Sequence, residues 1–300
     1  MTRILFYTNY YKQTHFFDTT IRRIANAGFP IVVLLTGESG PFRKCPVQHD
    51  NVTIIEGPHQ DCSFDLGMQI FKKHRLLEVH APTVLCHIDC DCFLSGLQEL
   101  SNYINSFEKG KYDYACHTVG SLSSNKYLSD EPIGHVYDQM FNDNGPSEPP
   151  SPEPHYENAY QLVRKSIWDK LTVEEVGHHR RFLAALHKHG AKFGSHHASY
   201  RWDYTNWGKE WFHIGHIFEK FDTLERGQPI DKYNPDSEFD LFRAGFFAAQ
   251  ERCYGSHTYP TEFHASLNAF YQHFGGKDRT LECWDRLVKG TCMENWAPLA

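Results

Sequence analysis

Two aspartates close an apolar run in Val84-Leu85-Cys86-His87-Ile88-Asp89-Cys90-Asp91-Cys92-Phe93-Leu94. If the run is extended, Asp89 and Asp91 share one face, and Cys86, Ile88, Cys90 and Cys92 take the other. Two carboxylates so close repel each other, and burying them unpaired is costly. A hard divalent cation such as Mg²⁺ or Mn²⁺ removes that cost and keeps open positions for phosphate oxygens. Solvated turn residues are a second reading. A phosphohydrolase of the haloacid dehalogenase type is a third, but that type wants Thr or Val where Phe93 stands. A zinc site from the three cysteines lacks a Cys-x-x-Cys knuckle, so they read better as small buried hydrophobes.

Alternating elements must deliver this pair. A strand at 4–7 runs to Thr8-Asn9-Tyr10 and is followed by a helix over 15–27, closed by Gly28 and Pro30. Strands follow at 31–36, 52–56 and 83–88, with a helix over 64–79 before the last. This order predicts a Rossmann-like α/β fold, a mixed and mainly parallel sheet flanked by helices. Such sheets bind ligands beyond the carboxyl ends of their strands, where Thr8, Asn9, Tyr10, Asp89 and Asp91 fall. Residues 142–154 carry five prolines and almost no apolar side chain, which predicts a mobile loop. Helical patterns return at 172–190 and then at 236–251, 261–274 and 278–289. Residues 1–230 are therefore expected to form the main domain and 231–300 a helical extension packed on it.

The 300 residues carry 30 basic and 37 acidic side chains, a net charge of −7, which argues against a general electrostatic grip on nucleic acid. The 22 Phe and 16 Tyr fill a core or line a groove for rings. Nine Cys with no early apolar run long enough for a signal or membrane span predict a reduced, cytoplasmic protein. There is no Gly-x-Gly-x-x-Gly after the first strand and no Walker lysine, which excludes those dinucleotide and ATP sites.

An apolar strand ending in Asp-x-Asp, after a helix and a Pro82-Thr83 turn, resembles the DXD region of GT-A glycosyltransferases. The segment 58–67, with Asp65, matches the family's helix start beneath the nucleotide, and the resemblance spans roughly residues 2–220. It implies that Asp89 and Asp91 hold Mn²⁺ or Mg²⁺ and that Asp65 and Asp89 help bind a nucleoside-diphosphate-sugar donor, most naturally a UDP-sugar. Thr8, Asn9 and Tyr10 would contact base and ribose, with Tyr10 or Tyr11 stacking on the base. Residues 155–168 resemble the strand under the donor sugar, with Ala159 allowing close approach. His213-Ile214-Gly215 resembles the family's late metal ligand, with His216 as the alternative. Lys209 and Arg201 are candidates to neutralise the diphosphate, and Trp207 and Trp211 to stack on a sugar.

Glu174 or Glu175 matches the family's acidic pair that takes the acceptor's proton in inverting members; a retaining course stays open. Thr172-x-x-Glu175 is also a capping box. The acceptor is a glycan or small hydroxyl compound. Hydroxymethylated phage DNA is the alternative, through a groove with Arg180, Arg181, Lys188 and Lys192. A non-catalytic nucleotide-sugar-binding protein is the reading from another class.

Overall fold

A computed structural model of the chain describes residues 2–37, 40–57, 64–119, 155–176, 179–197, 199–202 and 205–299. Its strands are β1 (Ile4–Tyr10), β2 (Ile31–Leu35), β3 (Val52–Glu56), β4 (Val84–Ile88), β5 (Cys92–Leu94) and β6 (Tyr114–Val119). They continue as β7 (His155–Arg164), β8 (Phe193–His197), β9 (Ser199–Trp202), β10 (Thr205–Trp207) and β11 (Trp211–Ile214).

β2 is apolar throughout, and β1 and β4 are apolar apart from residues such as the buried Thr8 and His87, as expected for parallel strands covered on both faces. They pair in parallel in the order β3-β2-β1-β4. Beyond β4 the sheet continues β7-β6-β8, in which β7 runs antiparallel to both neighbours and β6 pairs with β8 in parallel. The result is the expected mixed, mainly parallel sheet with helices on its faces, and it has seven strands. A second, antiparallel sheet has the order β5-β11-β10-β9.

Alternation along β1 divides the core. Ile4, Phe6 and Tyr10 face one cluster, with the helix His15–Asn26 and the three helices after residue 236. Leu5 and Tyr7 face the other, with Met68, Phe71, Trp168, Val176 and Phe182. The helix His15–Asn26 begins where Thr14 Oγ1 accepts from Phe17 N at 3.2 Å and ends before Gly28, whose φ is +86°. The predicted helix over 64–79 is two, Phe64–Lys73 and Leu76–Val79. At the break His74 Nδ1 accepts from Leu76 N at 3.3 Å, just before the second helix. The helix predicted over 172–190 likewise divides into Val173–Val176 and His179–Lys188.

The helix Gln98–Gly110 is absent from the sequence reading, although Leu100, Tyr103, Ile104 and Phe107 are buried at i, i+3, i+4 and i+7. The helices Glu238–Tyr254, Thr261–His273 and Lys277–Val288 are where their patterns put them. They complete the main core. Trp284 stacks on Phe242 at 4.9 Å and lies within 6.4 Å of Phe16, Phe212 and Phe246. The segment 142–154 lies outside the described residues.

Candidate metal centre

Asp89 follows the last residue of β4, at the carboxyl edge of the parallel strands. The chain then turns instead of staying extended: Cys92 N donates to Asp89 O at 3.0 Å, and β5 begins at Cys92. Strand alternation is therefore not what brings Asp89 and Asp91 together, contrary to the sequence expectation. The turn does it. The cysteines nevertheless go inward: Cys86, Cys90 and Cys92 are buried in the core, where burial pushes each thiol well above its ordinary pKa. None of the three cysteines is among the grouped ligand atoms of Asp89, Asp91 and His213. No disulfide joins the eight cysteines among the described residues.

The third member comes from far along the chain. β11 pairs antiparallel with β5, placing His213 opposite Cys92, and Ile214 N donates to Asp91 O at 3.1 Å. β5 is itself held on the helix His15–Asn26, where Thr20 Oγ1 accepts from Leu94 N at 2.9 Å and Arg23 donates to Leu94 O. One ligand atom from each of Asp89, Asp91 and His213 lies within 4.8 Å of the others. His213 Nε2 is 3.2 Å from Asp91 Oδ1. His213 and Asp91 are buried, while Asp89 keeps 28% of its side-chain surface. Two carboxylates and an imidazole, with one carboxylate facing outward, suit a borderline-hard divalent cation with open positions. Mn²⁺ accepts the nitrogen more readily than Mg²⁺ does.

Sequence reasoning missed His87. It is fully buried, its ring 4.9 Å from that of Tyr7, and its Nε2 lies 3.6 Å from Asp89 Oδ1. The signal was present, since a histidine inside an apolar strand two residues before the first Asp needs a partner. Arg243 was missed too. This arginine from the helix Glu238–Tyr254 is fully buried, donates from Nε to Gly215 O at 2.9 Å and lies 3.5 Å over the Phe239 ring. Burial pushes its pKa down to about 10, and Asp240 and Asp91 are the main charges opposing that shift. It ties the turn after His213 to the core and places a cation near the acidic pair.

Other expected site residues are distributed unevenly. Asn9 lies at the carboxyl end of β1 against the bare Cα of Gly67; a Cβ there would sit 2.1 Å from Asn9 Oδ1. Thr8 is buried with its hydroxyl unpaired. Tyr10 is fully buried in the core and donates its hydroxyl to Asp18, so it has no face for a base. Tyr11 is half-buried, with its hydroxyl on Asp222 at 3.1 Å and its ring against Phe218. The Asp65 side chain and Arg201, Arg180 and Arg181 lie outside what is described.

His216 is exposed at φ +63° as the N-cap of the helix Ile217–Glu225 and is not among the three grouped ligands. Lys209 is exposed in the turn before β11, beside Glu99 and Glu210, which accept each other's backbone N–H groups at 2.9 and 2.7 Å. That turn is at the far end of β11 from His213. Trp211 is buried against Tyr160, and Trp207 packs partly on the core.

Glu174 and Glu175 are not brought to the acidic pair. β7 runs antiparallel to β4, so Arg164 pairs with Val84 and the chain leaves β7 at the amino edge of the sheet. There Lys72, at the last turn of its helix, donates to Trp168 O. Glu175 forms the capping box, accepting from Thr172 N at 2.8 Å and donating its own N–H to Thr172 Oγ1 at 3.1 Å, and it pairs with Lys188 and His189. The five residues of β4 separate this edge from Asp89 by roughly 15 Å. The Lys192 ammonium, a member of the expected DNA groove, donates to Gly110 O and lies over Tyr112. Among the described residues no helix is long and apolar enough to cross a membrane.

No family profile and no curated protein matches the sequence. Among solved structures the chain is similar to A197 from STIV, with 9% identity over 71% of this chain and 95% of that one and a TM-score of 0.39. It is also similar to CMP:2-keto-3-deoxy-manno-octonic acid synthetase complexed with CTP, at 8% identity, 75% and 99% coverage and a TM-score of 0.42. A third is the UTP-bound UGPase from Acinetobacter baumannii, at 10% identity, 66% and 86% coverage and a TM-score of 0.42. These likenesses are remote.

Proposed function

We propose that the chain is a metal-dependent glycosyltransferase that moves a sugar from a nucleoside-diphosphate sugar, such as a UDP-sugar, to an acceptor hydroxyl. The observation that carries this reading is the convergence of Asp89, Asp91 and His213 past the carboxyl edge of β4. Asp91 and His213 form the buried side of the ion's seat, and Asp89 forms the side open to a diphosphate. When bound, Mn²⁺ or Mg²⁺ offsets the charge that builds on the departing diphosphate. Asn9, packed on Gly67 at the end of β1, lies on the same edge for the nucleotide. His87 lies beneath Asp89, its Nε2 3.6 Å from that carboxylate, close enough to support it electrostatically.

The acceptor's proton goes to a group other than Glu174 or Glu175, so the inverting course has no assigned base. The acidic net charge favours a glycan or small hydroxyl compound over DNA as acceptor. Residues 1–230 carry the site in this reading, with 231–300 supporting it through Arg243. Free thiols suit a reducing compartment such as the cytoplasm.

The test is incubation of the purified chain with UDP-, GDP- and CMP-sugars and Mn²⁺. Slow donor hydrolysis that disappears with chelator and in Asp91→Ala is expected. If no donor binds and no step depends on metal, the proposal fails.

A further inference from the structure

A second polar pocket lies on another part of the molecule. It is bounded by the start of the helix His15–Asn26, the loop at 41–44 and the turn at 257–260, and holds about 240 Å³. Gln13, His15, Phe42, Lys44, His257 and Thr258 line it, and none of them belongs to the metal centre. The rings of His15 and His257 stand edge to face with centroids 6.5 Å apart. Burial, then the neighbouring His257 and Lys44, push the His15 imidazole down to about 4. Three nitrogen-bearing groups thus share a concave site with no carboxylate in its lining.

The nearby acid, Asp18, attracts the Lys44 charge, but its hydrogen bonds go elsewhere. Asp18 is buried, and its oxygens accept from the Tyr10 hydroxyl and from Gln13 Nε2 at 3.1 Å. The helix terminus itself is also occupied, since Gln250 Oε1 accepts from His15 N and Phe16 N, and Thr14 Oγ1 from Phe17 N. Side chains, rather than the helix end, make this pocket. A metal cation is disfavoured, because the Lys44 ammonium repels it and no acid or thiol lines the wall. The volume falls below the ~300–1,000 Å³ of pockets for drug-sized ligands, which argues against a whole nucleotide.

We propose that this pocket binds a small oxyanion of the phosphate class, held by Lys44, His15 and His257. An anion there converts repulsion among the three groups into charge-assisted hydrogen bonds. The source is a free ion or the phosphoryl group of a small phosphomonoester.

The test is titration of the full chain, stripped of metal with chelator, with inorganic phosphate while the His15 and His257 imidazole signals are followed by NMR. Both signals are expected to shift together and saturate in the millimolar range. Lys44→Met should weaken binding about tenfold. His257→Gln should weaken it as well, and both side chains are exposed enough for the fold to tolerate the change. Asp91→Asn should leave this binding unchanged, which separates it from the metal centre. A parallel titration with glycerol phosphate distinguishes the sources: exclusion indicates the free ion, and equal binding indicates a phosphomonoester. Unmoved histidine signals, undiminished affinity in Lys44→Met, or loss of binding in Asp91→Asn alone would each overturn the proposal.

Discussion

The Asp91 carboxylate touches His213 on its buried side, so shortening it removes a ligand that no neighbouring acid replaces within the group of three. Asp91→Ala is expected to weaken Mn²⁺ binding about a hundredfold or more, beyond what outer-shell changes cost, with the circular dichroism spectrum unchanged. A second residue-scale prediction concerns Asp18. Burial raises its pKa from 3.8 to about 6, against the lowering effect of hydrogen bonds from Tyr10 and Gln13. The folded state then binds the proton more tightly than the unfolded one. Its contribution is fully present below about pH 4 and is lost as pH rises through 6, on the order of 3 kcal/mol. Asp18→Asn should flatten that part of the stability–pH curve, measured by urea unfolding at pH 4, 5, 6 and 7. Tyr10, which donates to Asp18, shows what could have been read earlier. It shares the alternation of Ile4 and Phe6, and that pattern alone assigns it to the core rather than to a base.

At the scale of elements, the helix Glu238–Tyr254 reaches the site through Arg243. Arg243→Leu leaves the Gly215 carbonyl without its donor. We expect a loss of about 2 kcal/mol or more in stability. Mn²⁺ affinity should fall as well, measured by calorimetric titration below the unfolding temperature. The acidic pair was legible because two carboxylates at the end of an apolar strand need an explanation whatever the fold. The late histidine was legible through resemblance. The placing of Glu174 and Glu175 was not, because it depends on β7 lying antiparallel between β4 and β6. Nothing local in residues 155–175 states that pairing direction, and reversing it would move both glutamates to the other edge. The Asp89–Cys92 turn was hidden for a related reason: an extended run and a tight turn share the same residues, and pairing of β5 with β11 selects the turn.

Across the whole molecule, one cluster joins the helix His15–Asn26, both sheets and the last helices. Trp284 sits within it, against rings from three other parts of the chain. Trp284→Ala is expected to cost about 3–5 kcal/mol and to lower the urea midpoint of a single transition. Separate transitions for the region after residue 230 and the rest would show instead that the tail unfolds by itself. The α/β order was readable from strand runs and helix punctuation. That the tail would share the main core was less so, because its aromatics could as well have packed among themselves.

The bond from Ile214 N to Asp91 O joins segments more than a hundred residues apart. Breaking it separates the carboxylate from the neighbouring histidine, so a bound cation resists that particular opening by mass action. This amide is therefore a local reporter of occupancy. Its hydrogen exchange should slow with rising Mg²⁺ concentration, whereas exchange at Lys165, whose N–H donates to Thr83 O at the sheet's opposite edge, should stay constant while the global stability exceeds the local one.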